Sequence, residues 1–227
     1  MEIKRNTSLT FGILIILGMI FGILSSVPAL ELPDFLSKLA TIKKQVLLAA
    51  FFQFAMACVY ALITVFLYPV IKKYNKKLAL SYFGFRIIST MFLFVGIVSL
   101  LILLFISQEF VSAGEPENSY FHTLGEMARL GRDWFNHVTM ILSWSIGGLI
   151  LYFSLYKMKN IPKWLSISGI FTSVITLVTT LFLLFDSLKI ASPLYFTILA
   201  PSAVFELILA IYMIKMGLRK TIENGQV

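Results

Sequence analysis

Six long apolar runs constrain this chain more than any other feature, at about 9–30, 46–71, 78–106, 134–156, 164–185 and 194–216. A run of roughly 18 or more apolar residues spans the roughly 30 Å hydrocarbon core of a bilayer as a helix. In lipid every backbone N–H and C=O must be satisfied within the structure, and a helix does this by itself. The expected fold class is therefore all-α, an integral membrane bundle of six transmembrane helices forming a single domain over residues 1–227. Composition agrees: 59% of the 227 residues are hydrophobic and 13% are charged, and mean hydropathy is +0.90. Such values exclude a soluble enzyme and a disordered regulator. One cysteine, Cys58, permits neither an intramolecular disulfide nor a thiolate metal cluster.

The first run follows Lys4 and Arg5 and ends among small residues, as a cleavable signal does. Its apolar length exceeds the roughly 7–15 residues of a signal core, so it is read as a retained helix. Orientation follows from the basic residues, which resist translocation. The N-terminal tail, the 72–77 and 157–163 turns and the C-terminal tail, with Lys215 and Lys220, together hold 12 Lys and Arg, against 6 in the loops between them. Both termini are expected on the cytoplasmic side. The acidic residues Glu31, Asp34, Glu109, Glu115, Glu117, Glu126, Asp133 and Asp186 collect on the opposite side. The net charge of +8 thus lies beside the inner leaflet, which makes membrane lipids the expected partners. Nucleic acid is excluded, because the basic residues form no aromatic-interleaved patch; a protein partner is not legible.

Small and polar residues recur at helical spacing in each run and mark the face turned from lipid. Gly18 and Gly22 do so in the first; Gln53, Tyr60 and Thr64 in the second; Arg86 and Ser89 in the third; Ser145 in the fourth; Ser173 and Thr176 in the fifth; Ser202 and Glu206 in the sixth. Close helix packing explains such stripes, and a cavity lined by Gln53, Tyr60, Thr64, Ser89, Ser145, Ser173, Thr176 and Ser202 is the functional alternative. Arg86 and Glu206 are full charges deep within spans, where an arginine costs about 2.5–3.5 kcal/mol on the lenient insertion scale. Each lies nine residues from the basic residue at its span's end, Lys77 or Lys215, or roughly 13 Å at the helical rise. Matched depth predicts a buried Arg86–Glu206 ion pair.

Both histidines fall between Asn118 and His137, with His122 four residues before Glu126 and Asp133 four before His137. Those four residues are the candidate metal ligands, since an i, i+4 pair presents two donors on one helix face. The segment lacks H-E-x-x-H and is interrupted by Gly125 and Gly131, so the expectation is instead an interface-lying amphipathic helix capped near Asp133, with Trp134 as an anchor. The loop 31–44 reads as a second short amphipathic helix on the membrane surface. No nucleophile triad, phosphate loop or nucleotide fingerprint is present, and no cofactor is implied.

The stretch from Trp134 to Tyr156, the turn Ile161-Pro162-Lys163-Trp164-Leu165 with Gly169, and Pro201 before Glu206 and Ile214-Lys215-Met216-Gly217 carry a family likeness. In these the chain resembles a bacterial multi-pass membrane family known as domain of unknown function 4386. The likeness is looser over the N-terminal half, including the first helix and Arg86, and Lys163 stands where the family often has arginine. It implies six helices in the bacterial cytoplasmic membrane and supplies no activity, cofactor or catalytic residues. The functional expectation is a non-enzymatic sensor or accessory subunit holding a lipid or apolar molecule between its helices. The alternatives are a small-molecule transporter and a metal-dependent membrane hydrolase.

Overall fold

A computed structural model describes residues 2–116, 119–190 and 192–219. Glu117, Asn118 and Lys220, and the side chain of Lys4, lie outside the described residues. The helices are α1 (Glu2–Leu24), α2 (Phe35–Thr41), α3 (Lys43–Tyr74), α4 (Lys76–Ser112), α5 (Tyr120–Asp133), α6 (Met140–Met158), α7 (Lys163–Leu184) and α8 (Pro193–Lys215), with a 3-10 turn at Pro28–Glu31 and a π-helical turn at Trp134–Thr139. Among the described residues six continuous helices are long and apolar enough to cross a bilayer. The protein is a multi-pass membrane protein, as the apolar runs require.

Packing contacts order the spans as a ring: α1 on α3, α3 on α4, α4 on α6, α6 on α7, α7 on α8, and α8 back on α1. Chain order is thus ring order, as short turns between antiparallel neighbours dictate. The α3–α4 turn is a single residue, Asn75, whose extended backbone and side chain cap α4 by accepting from Lys77 N and Leu78 N at 2.9 and 3.0 Å. Closure joins the two termini at one end of the bundle. Arg5 Nη1 donates to the Lys215 carbonyl at 2.9 Å and Leu218 N to Ser8 Oγ at 2.9 Å, while Arg219 N donates to the Asn160 carbonyl at 2.7 Å.

Three local expectations change. The first span stops at Leu24 and not near residue 30, because Pro28 has no N–H and disfavours the helical region for Val27, which sits at φ −126°, ψ 84°. The predicted break at Asp133 is absent: Asp133 is helical at φ −66°, ψ −42°, and one helix of 39 residues runs from Tyr120 to Met158. The π turn adds one residue to the helical ladder and carries the chain through without a side-chain cap. The 31–44 loop does form a helix, α2, but its apolar face is buried against protein. Phe35, Leu36 and Leu39 pack with Leu100, Leu103, Leu104 and Phe110 of α4. Ser107 Oγ donates to the Leu36 carbonyl, and Gly125 of α5 leaves room for Leu36, whose Cδ2 lies 2.8 Å from where a Cβ would stand. At 37 residues α4 is roughly 55 Å long, well beyond what the hydrocarbon needs. Its last turns hold α2 and α5 as a cap on the end opposite the termini.

Candidate functional site

Inside the ring lies a cavity of about 220 Å³, walled by Tyr60 of α3, Arg86 of α4, Trp144, Ser145, Gly148 and Tyr152 of α6, Thr172, Ser173 and Thr176 of α7, and Ser202, Phe205 and Glu206 of α8. A smaller pocket on the α1 side shares Tyr60, Arg86, Trp144, Tyr152 and Glu206 and adds Phe11 and Ile15. These five shared side chains form a partition across the ring interior.

Arg86 is 3% exposed. Its guanidinium carbon lies 3.3 Å from the centroid of the Trp144 ring and 5.6 Å from that of Tyr82, a stacked cation–π arrangement of a kind that contributes about 2 kcal/mol where water is excluded. Tyr60 backs Trp144 at 4.2 Å between ring centroids. The close seating requires glycine at two successive α6 positions. A Cβ on Gly147 would stand 3.0 Å from Arg86 Nε, and one on Gly148 would stand 2.8 Å from Ser173 Oγ. Despite the stacking, Arg86 Nε and Nη1 have no hydrogen-bond partner, and neither has Ser145 Oγ. Each buried donor left unmade costs roughly 1–3 kcal/mol, more when charged, so the arginine is held in a costly state.

The ion pair expected from the sequence is not formed. Among the described residues the ion pairs are Lys38–Asp34, Arg129–Glu126 and Arg132–Asp133. Arg86 and Glu206 both belong to this partition and line the same two cavities without pairing. Matched depth set their heights, but α4 packs against α3 and α6 while α8 packs against α7 and α1. Trp144 takes the guanidinium face instead.

The remaining polar candidates divide into two groups. Tyr60, Ser145, Ser173, Thr176 and Ser202 are on the cavity wall, with Thr176 Oγ1 and Ser202 Oγ bonded at 3.0 Å across α7 and α8. Gln53, Thr64 and Ser89 are occupied elsewhere. Gln53 Nε2 donates to the Leu93 carbonyl and to Asn136 Oδ1, both at 3.0 Å; Thr64 donates to the Tyr60 carbonyl at 2.8 Å; Ser89 donates to the Met140 carbonyl at 2.9 Å. Sequence reasoning missed Trp144, Tyr152, Thr172 and Phe205. A usable signal was present for Trp144: Trp134 and Trp164 begin their apolar runs, as interfacial tryptophans do, whereas Trp144 stands mid-run beside a Gly147–Gly148 pair.

The four candidate metal ligands do not converge, and among the described residues no group of three His, Cys, Asp or Glu side chains could hold an ion. His122 packs edge-on to Phe110 at 5.1 Å, Glu126 is engaged by Arg129 at 2.8 Å, and Asp133 by Arg132 at 2.8 Å. His137 Nδ1 lies 3.4 Å from the Tyr195 hydroxyl.

Compared with known families, residues 10–217 match the one described as Domain of unknown function (DUF4386), and the chain belongs to that family. Comparison with curated proteins and with solved structures gives no match.

Proposed function

We propose that this DUF4386 protein is a non-enzymatic binding protein of the bacterial cytoplasmic membrane, with both termini in the cytoplasm, that holds a small molecule inside its helical ring. The observation that carries this reading is the arginine: Arg86 is 3% exposed, with Nε and Nη1 unpartnered, on the wall of a cavity of about 220 Å³. Buried polar groups are normally satisfied, and those that are not call for an explanation. A ligand acceptor at Arg86 supplies one. The wall also holds Glu206 and the unpartnered Ser145 hydroxyl, which favours a ligand with a polar head among the lipid or apolar molecules expected from the sequence. The surrounding lipid serves as solvent and partner for the exterior, where residues such as Phe51, Phe105, Phe171 and Phe182 are exposed.

A transport reading has one specific observation in its favour. Pro201 lies inside α8, next to Ser202 on the wall, and cannot donate to the Thr197 carbonyl, so α8 can bend at cavity level.

Native mass spectrometry of the protein extracted from membranes tests the binding reading. The wild type should retain a bound molecule that Ser202→Phe, which fills the cavity, excludes while keeping the helical circular dichroism spectrum. Equal occupancy of both proteins by the same molecules would overturn it.

A further inference from the structure

We infer that the molecule held in the ring is a small zwitterion, an oxyanion and an ammonium on one compact frame, with the oxyanion at Arg86 and the ammonium at Glu206. This rests on the binding reading above and gives it a substrate class.

Three features of the cavity lead there. The first is charge. Arg86 and Glu206 line the same cavity and make no direct ion pair, so both side chains are open to a ligand in the same small volume. A ligand bearing a single charge would satisfy one and strand the other in a low-dielectric interior, where an unpaired charge is expensive. A molecule with both charges satisfies both and adds no net charge to the membrane interior.

The second feature is donor geometry. With one face against Trp144 at 3.3 Å, the guanidinium still offers its edge, where Nε and Nη1 have no partner, and edge-on contact is how arginine takes a carboxylate or phosphate, through two parallel N–H bonds. Ser145 Oγ, also without a partner, is a further donor on this wall, contributed by the same helix as Trp144. On the α8 side Glu206 is acceptor-only when ionised, which suits an ammonium. Tyr60, Tyr152 and Trp144 give an aromatic lining that suits the ammonium's neighbouring methylenes.

The third feature is size. A cavity of about 220 Å³ lies just below the roughly 300 Å³ at which pockets for drug-sized ligands begin. This is the scale of a short amino acid, or of a phosphoethanolamine headgroup with its acyl chains left outside, and too small for a whole lipid. Both sources share the chemistry, and the test separates them.

The experiment uses the full-length protein in detergent, with thermal unfolding and isothermal titration as readouts. One arm compares 4-aminobutyrate and L-valine with butyrate and with butylamine. A second compares short-chain phosphatidylethanolamine with phosphatidylglycerol, which carries the oxyanion alone. The zwitterion of at least one arm should raise the unfolding midpoint and bind at least about tenfold more tightly than its single-charge analogues, the factor that about 1.4 kcal/mol represents. Glu206→Gln should erase that preference while leaving butyrate or phosphatidylglycerol binding as in the wild type, which separates loss of recognition from loss of fold. Arg86→Lys should weaken the zwitterion and its anionic analogue together. Equal binding of zwitterion and anion, or no binding of any zwitterion, would overturn the inference. In the first case the Ser202→Phe result still stands for the binding reading; a ligand mass that persists in Ser202→Phe removes that reading itself.

Discussion

Adding one methyl group at Gly96 should loosen the bundle where α3, α4 and the π turn meet. A Cβ there would lie 2.0 Å from Asn136 Oδ1, 2.7 Å from its Cγ and 2.9 Å from its Nδ2, so the amide must move. Asn136 is 9% exposed and Gln53 2%, and their 3.0 Å bond lies between helices, away from water. Displacing Asn136 therefore combines an overpacking cost of about 1–3 kcal/mol with loss of an interhelical hydrogen bond, which in membrane proteins averages about 0.6 kcal/mol and reaches about 1.7. Less the roughly 0.5–1 kcal/mol that alanine gains in a helix, Gly96→Ala should destabilise by roughly 1–4 kcal/mol on these magnitudes. Gly84, on the same helix with nothing within 4 Å of its Cβ position, is the internal control. Gly84→Ala should be neutral or stabilising, by up to about 1 kcal/mol from helix propensity. Thermal unfolding of both variants in one detergent reads the difference. Pairing Gly96→Ala with Asn136→Ala should restore part of the loss, because the obstructing amide is gone. If Gly96→Ala and Gly84→Ala unfold at the same temperature, the packing argument is wrong.

Other perturbations probe the ring and its cavity. Gly169→Ala should destabilise by about 1–3 kcal/mol, since its Cβ would stand 2.5 Å from Tyr152 Cγ and 2.8 Å from Phe205 Cζ; the edge-on contact of those rings, 5.2 Å between centroids, would open, and denaturation in detergent measures the loss. Arg86→Lys keeps the charge and loses the planar stack on Trp144. It should lower stability by up to about 2 kcal/mol and change the emission of Trp144 in a protein whose Trp134 and Trp164 are replaced by phenylalanine. A double-mutant cycle on Thr176→Val and Ser202→Ala should return a coupling energy of about 0.6 kcal/mol from their 3.0 Å bond, and zero coupling would count against that contact. Ser8→Ala removes the acceptor for Leu218 N, and hydrogen exchange at Leu218 should quicken relative to the helices.

Hydropathy alone revealed the spans, since the solvent for their outer faces is lipid and any apolar run of that length must satisfy its backbone as a helix. Local chemistry explains where the boundaries moved. Pro28 ended α1 through a missing donor. Gly131 and Asp133 looked like a helix end but were carried through by a π turn, which leaves no simple signature in composition. For the site, helical periodicity identified polar faces but not what those faces meet. Gln53 and Ser145 read alike in the sequence, yet Gln53 is tied to Leu93 and Asn136 while Ser145 Oγ has no partner on the cavity wall. Arg86 and Glu206 show the same limit. Counting residues from the span ends fixed their depth, whereas the azimuth of each helix and the order of the ring decided that Arg86 would meet Trp144.

The central claim is that Arg86 and Glu206 face a shared ligand space and not each other. A high-resolution electron cryomicroscopy map of the protein, extracted in a native-lipid nanodisc with its bound molecules retained, tests it most directly. The map should show the guanidinium stacked on Trp144 and non-protein density bridging from its edge toward Glu206. A direct Arg86–Glu206 ion pair, with the helices closed over the space between them, would contradict it.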